Sequence, residues 1–154
     1  MTYILIIISL FLDGAISTII SQNSYLIPHL LLTTLFIIYP KYKKRNVTYN
    51  MILIITGILY DLLYTNLLFF HAIVFLIVGI IIKYLYKNYN QSTIINVFSL
   101  ITVIAIYIAL ISISMLMFKT TNIIISDIIN FIIRSLFINI LYLLLLNPIV
   151  KNKA

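Results

Sequence analysis

Residues 93–118 read TIINVFSLITVIAIYIALISISMLMF. The stretch holds no charged residue, and its apolar positions run on without the alternation of a half-buried strand. At about 1.5 Å per residue, a helix of this length crosses a hydrocarbon core of about 30 Å. It is read as a transmembrane helix. Apolar runs of the same kind lie on both sides, at about 3–20, 25–39, 47–64, 68–85 and 123–146. Pro28 stands near the start of the second run, where proline is tolerated. The first run lacks a basic leader and a small-residue cleavage site, so it is expected to be a retained span. Continuous rather than alternating apolar content disfavours a β-barrel. The expected fold is one all-α integral membrane domain, residues 1–154, a bundle of about six transmembrane helices.

Composition agrees with this reading. Of 154 residues, 64% are hydrophobic and 8% are charged, against roughly 25% charged in soluble domains. Six spans of about 20 residues leave no room for a sizeable extramembrane domain. A soluble nuclease, kinase or dehydrogenase is excluded. The chain has no cysteine, hence no disulfide, thiolate nucleophile or cysteine metal site. It has no tryptophan, so its 12 tyrosines must supply the interfacial aromatic belt. The net charge of +7 does not mark a nucleic-acid binder, because the basic residues sit at span ends. The bias toward Ile, Asn, Tyr and Lys suggests an AT-rich bacterial genome.

Six spans put both termini on one side. That side holds Lys41, Lys43, Lys44, Arg45, Lys83, Lys87, Lys151 and Lys153, and the other holds Lys119. The positive-inside rule then makes both termini cytoplasmic. The expected location is the cell membrane of a bacterium, as a multi-pass protein.

The acids are Asp13, Asp61 and Asp127, all within apolar runs, and Arg134 joins them there. Each intramembrane charge costs about 2.5–3.5 kcal/mol or more, so each is expected to face the bundle interior and find a partner. Counted along the helices, Asp13 and Arg134 both fall near the midplane, about 15 Å and about 16 Å from their span ends. An intramembrane ion pair is expected, with Asp13 the first partner of Arg134 and Asp127 the second. Asp127, Asn130 and Arg134 share one helix face, as do Ser9, Asp13 and Ser17. Both stripes are expected to turn inward and bond between helices. Gly57 and Asp61 share a face of the third span, where glycine admits a neighbouring helix and Asp can bond across the gap. His71, Phe75, Gly79 and Lys83 recur every four residues in the fourth span. Gly57, Asp61, His71 and Gly79 are the candidate structural or partner-binding residues. His29, His71 and Asp61 match no metal-ligand spacing, so no metal and no cofactor is expected. With glutamate absent and no nucleophile–base set at one depth, no enzyme activity is expected.

The stretch Thr56-Gly-Ile-Leu-Tyr-Asp-Leu-Leu-Tyr-Thr-Asn, followed by Phe75-Leu-Ile-Val-Gly79, resembles the MreD family of rod shape-determining proteins. Phe11-Leu-Asp-Gly-Ala-Ile-Ser, the early Pro28 and the Tyr39-Pro-Lys-Tyr-Lys-Lys-Arg loop look like its Gram-positive members. The likeness covers the whole chain in layout and residues 11–17 and 56–79 in motif. Residues 66–71, Asn-Leu-Leu-Phe-Phe-His, depart from the glycine and asparagine usual in that turn. The resemblance implies a non-enzymatic scaffold subunit of the cell-elongation machinery for peptidoglycan synthesis. Its partners would be a bitopic MreC-like protein, MreB, the RodA/transpeptidase pair and membrane lipid, with a homodimer left open. The fold would also be similar to S components of energy-coupling-factor transporters. The alternative function is therefore a vitamin-binding transporter subunit, against which stand short outer loops and the lack of an Ala-x-x-x-Ala motif.

Overall fold

The computed structural model describes residues 2–20, 28–65, 69–89, 92–117 and 125–151; the side chains of 18–20, 125 and 147–151 lie outside that description. The polar break at 21–24, the beginning of the second apolar run at 25–27, Asn66, the loop residues 90–91, Lys119 and Lys153 are also outside the described residues.

Among the described residues six helices form an all-α bundle: α1 Thr2–Ile20, α2 Leu30–Tyr42, α3 Asn46–Tyr64, α4 Phe70–Asn88, α5 Thr93–Met117 and α6 Ile125–Lys151. No strand occurs among the described residues. Among the described residues four stretches are long and apolar enough to cross a membrane: α3, α4, α5 and Ser126–Leu146 of α6. Thr2–Ser17 of α1 and all of α2 form shorter apolar helices. Contacts along α3 and α4 (Asp61 with His71, Asn50 with Lys83) and along α4 and α5 (Phe75 with Tyr107, Leu85 beside Ile95) show neighbouring helices running in opposite directions. One end of the bundle, the basic end, carries the α2–α3 turn with Lys41, Lys43, Lys44 and Arg45, and the last turns of α4 with Lys83 and Lys87.

The second helix organises the rest. It has 13 residues, about 20 Å of rise, well short of the hydrocarbon thickness. Every residue from Leu30 to Tyr39 is buried. A helix that is apolar all round belongs inside a bundle, and α2 packs against each of the other five helices. It begins two residues after Pro28, with His29 in a non-helical backbone at the N-cap position. It continues through Pro40 into its last turn. Residues 30–39 of the second apolar run are therefore a central post rather than an outer wall.

Phe36 of α2 and, around it, Tyr49, Leu53, Phe75, Ile82, Leu100 and Ile104 fill the core. Ile4, Phe11, Met51, Ile73, Ile80, Phe98, Ile133 and Phe137 point outward and are exposed. So much outward apolar surface suits lipid and not water. Between such helices the packing gain is van der Waals contact, since lipid tails are as apolar as leucine. Polar contacts and close backbone approach therefore decide which helices pair.

Candidate functional site

A helix that starts inside a bundle leaves its first amide N–H groups without carbonyl partners. The residue preceding α2, His29, makes no side-chain capping bond. Asp13 of α1 does this work from outside: its Oδ1 accepts the Leu30 N–H at 2.6 Å and its Oδ2 the Leu31 N–H at 3.0 Å. From α6, Asn139 Oδ1 accepts the His29 N–H at 3.1 Å. It also lies 3.0 Å from the Thr33 hydroxyl. The Asn139 amide nitrogen donates to the Ser135 carbonyl at 2.7 Å. Asp13 is buried and Asn139 fully so. The start of α2 is thus pinned between α1 and α6.

This corrects the expected Asp13–Arg134 ion pair. Equal depth would favour that pair only if every helix ran the full thickness. Because α2 is short, its open amides arrive at the level of Asp13 and take both carboxylate oxygens. Arg134 and Asp127 are half-buried on α6, and both are engaged. The expected inward stripe Asp127–Asn130–Arg134 is also corrected: Asn130 is exposed, and α6 turns Ser135, Asn139, Leu143 and Leu146 inward. Of the stripe on α1, Ser9 is buried and Ser17 exposed, and their hydroxyls donate to Ile6 and Gly14 carbonyls of the same helix. Asp13 alone of the three bridges helices.

A second capping arrangement joins α3 to α4. Phe69, before α4, has a left-handed backbone (φ 65°) and no capping side chain. Asp61, in the last turn of α3, accepts the His71 backbone N–H on Oδ2 at 2.9 Å. Its Oδ1 lies 2.6 Å from His71 Nδ1 and accepts the Thr65 hydroxyl at 2.9 Å. With Asp61 ionised, Nδ1 carries the proton and donates. One turn earlier, a Cβ on Gly57 would meet the Ala72 backbone and the His71 carbonyl carbon. Only glycine lets the two backbones touch there. Lower on the same face, a Cβ on Gly79 would meet the end of the Leu53 side chain. Lys83 closes the stripe, donating to Asn50 Oδ1 at 2.5 Å and lying 5.7 Å from the Tyr49 ring centre. Gly57, Asp61, His71 and Gly79 therefore all lie in the α3–α4 interface.

Aromatic rings link the two caps. Tyr107 of α5 meets the His29 ring edge-on at 5.0 Å and lies 6.3 Å from the His71 ring. Tyr60 lies against His71 at 4.5 Å. Among the described residues no group of three His, Cys, Asp or Glu is placed to hold a metal. Every buried side-chain N or O among them has a hydrogen-bond partner.

All three acids serve helix starts that face the same end. Asp13 and Asp61 cap α2 and α4 from the preceding helices, and Asp127 sits in the first turn of α6 itself. Each carboxylate faces the positive end of a helix dipole. Sequence reasoning missed Asn139 and the Tyr64 latch. The Tyr64 hydroxyl donates to the Leu10 carbonyl at 2.8 Å, and its ring lies where a Cβ on Gly14 would be. A lone Asn among leucines, four residues after Ser135, was the available signal for the first. Nothing local marks Tyr64 among 12 tyrosines.

Compared with models of known protein families, with curated proteins and with solved structures, the chain matches none.

Proposed function

We propose that the protein is a non-catalytic scaffold subunit of the bacterial cell-elongation machinery. In this reading it is a multi-pass protein of the cell membrane with both termini cytoplasmic. It binds a bitopic MreC-like protein and, with it, MreB and the RodA/transpeptidase pair. One observation carries the reading. The two buried carboxylates, Asp13 and Asp61, have both oxygens engaged by the starts of neighbouring helices. Carboxylates held in this way are struts between helices, and a bundle so fixed presents constant outer faces to a partner. Because Gly57, Asp61, His71 and Gly79 are buried between α3 and α4, the partner meets the bundle elsewhere. The broadest outward face belongs to α6, the least buried of the long helices, with Ile129, Ile133 and Phe137 exposed.

The test replaces the native gene by variants and reads cell shape, partner co-purification and vitamin uptake, with membrane abundance as control. Paired Ile133→Ala and Phe137→Ala should leave abundance unchanged, weaken co-purification and round the cells. Normal shape and co-purification beside lost uptake of a vitamin would overturn the scaffold reading in favour of a transporter subunit.

A further inference from the structure

At the basic end, α4 and α5 diverge around a groove of about 360 Å³ lined by Leu85, Tyr89, Ile95, Phe98, Ser99 and Thr102. That is within the range of small-molecule sites, about 300–1,000 Å³. Its walls belong to two helices that are each long and apolar enough to cross a membrane. Phe98 and Tyr89 are exposed along it, so it opens toward the bilayer and not into the bundle. It spans the last turns of α4 and the first three turns of α5, which sets it at the depth of one leaflet's headgroups and upper chains. The Thr102 hydroxyl is turned back onto the Phe98 carbonyl at 3.0 Å, which leaves the wall apolar. Ser99, small and nearly buried, makes the hollow among larger neighbours.

Charge selects the occupant. Lys41, Lys43, Lys44, Arg45 and Lys87 lie at this end of the bundle, with Lys83 turned to Asn50 of α3, while Asp13, Asp61 and Asp127 all serve helix starts that face the other end. No described acid offsets the field here, and such a field draws anionic lipid from a mixed leaflet. We propose that the groove binds an anionic phospholipid. One acyl chain lies along Leu85, Ile95, Phe98 and Ser99, and the phosphate sits at the level of Tyr89. This site is independent of the scaffold reading and requires only that α4 and α5 are embedded in lipid.

The chain has no tryptophan, so Phe98→Trp places a single reporter in the groove, and Phe137→Trp places one on the exposed face of α6. Each variant is reconstituted in phosphatidylcholine vesicles holding a minor fraction of brominated phosphatidylglycerol or brominated phosphatidylcholine, and quenching is compared. At Phe98→Trp, brominated phosphatidylglycerol should quench about fivefold more effectively, the equivalent of about 1 kcal/mol for one basic side chain near the lipid. Phe137→Trp should show no such preference. Adding Ser99→Leu to Phe98→Trp should fill the hollow and bring the preference down to the Phe137→Trp level. Equal quenching by both lipids at Phe98→Trp would overturn the proposal. A preference of the same size at Phe137→Trp would reduce it to diffuse attraction, and a preference that survives Ser99→Leu would remove the groove from it. Absence of quenching by either lipid, with another protein chain retained, would assign the groove to a protein partner.

Discussion

At the scale of single residues, Asp13 decides how α2 begins. Removing its carboxylate strands two buried amides, each costing about 1–3 kcal/mol when left unpaired. Asp13→Leu should therefore lower the unfolding free energy in detergent by about 2–4 kcal/mol, since both donors lose their acceptor. Asp13→Asn keeps one acceptor oxygen and should cost less. Adding Arg134→Leu to Asp13→Leu should bring no recovery: the two effects should add to within about 0.5 kcal/mol, as for residues without a shared contact. Thermal or denaturant unfolding of the four proteins checks this, and a rescue in the double variant would restore the ion-pair view. Asp61 and His71 behave differently because they touch. A double-mutant cycle with Asp61→Leu and His71→Leu should return a coupling of about 0.5–2 kcal/mol, the range for polar contacts between membrane helices.

Between elements, glycine sets how closely helices approach, and the two glycines of the α3–α4 interface differ in what blocks a side chain. At Gly57 the obstacle is the Ala72 and His71 backbone, which cannot step aside. At Gly79 it is the end of Leu53, which can rotate. Gly57→Ala should thus reduce folded protein in the membrane several-fold. Gly79→Ala should leave most of it, as measured by gel filtration of extracted protein. Comparable loss at both positions would show that the interface is governed by something other than backbone contact. Much of this was legible in sequence, because Gly57 and Asp61 lie one turn apart on an otherwise apolar helix. The approach of His71 to Asp61 was not legible, since it depends on how closely the end of α3 meets the start of α4. Nor was the Asp13 cap. An aspartate within an apolar run predicts a buried partner, but backbone amides leave no trace in sequence, whereas Arg134 advertises a charge.

Taken whole, the molecule is a bundle wrapped around a short buried post, with acids serving the helix starts at one end and bases crowding the other. Six apolar runs were readable because charge is sparse along each and polar breaks separate them. That the second would be the axis was not, since its composition differs little from the runs that face lipid. Alternating direction and the basic end predict that both termini lie on one side of the membrane. Cysteines introduced at Thr2 and Lys151 should react with an impermeant maleimide only from the same side, on a chain that has no cysteine of its own. Labelling from opposite sides would break the six-helix arrangement. The whole arrangement turns on α2 as the buried axis and on Asp13, which holds its start. Amide hydrogen exchange, followed residue by residue in micelles for the wild type and Asp13→Ala, tests it most directly. In the wild type α2 should exchange among the slowest segments. In Asp13→Ala the Leu30 and Leu31 amides should lose protection while His71, held by Asp61, keeps its own. Rapid exchange along α2 in the wild type, or unchanged protection of Leu30 and Leu31 in the variant, would contradict it.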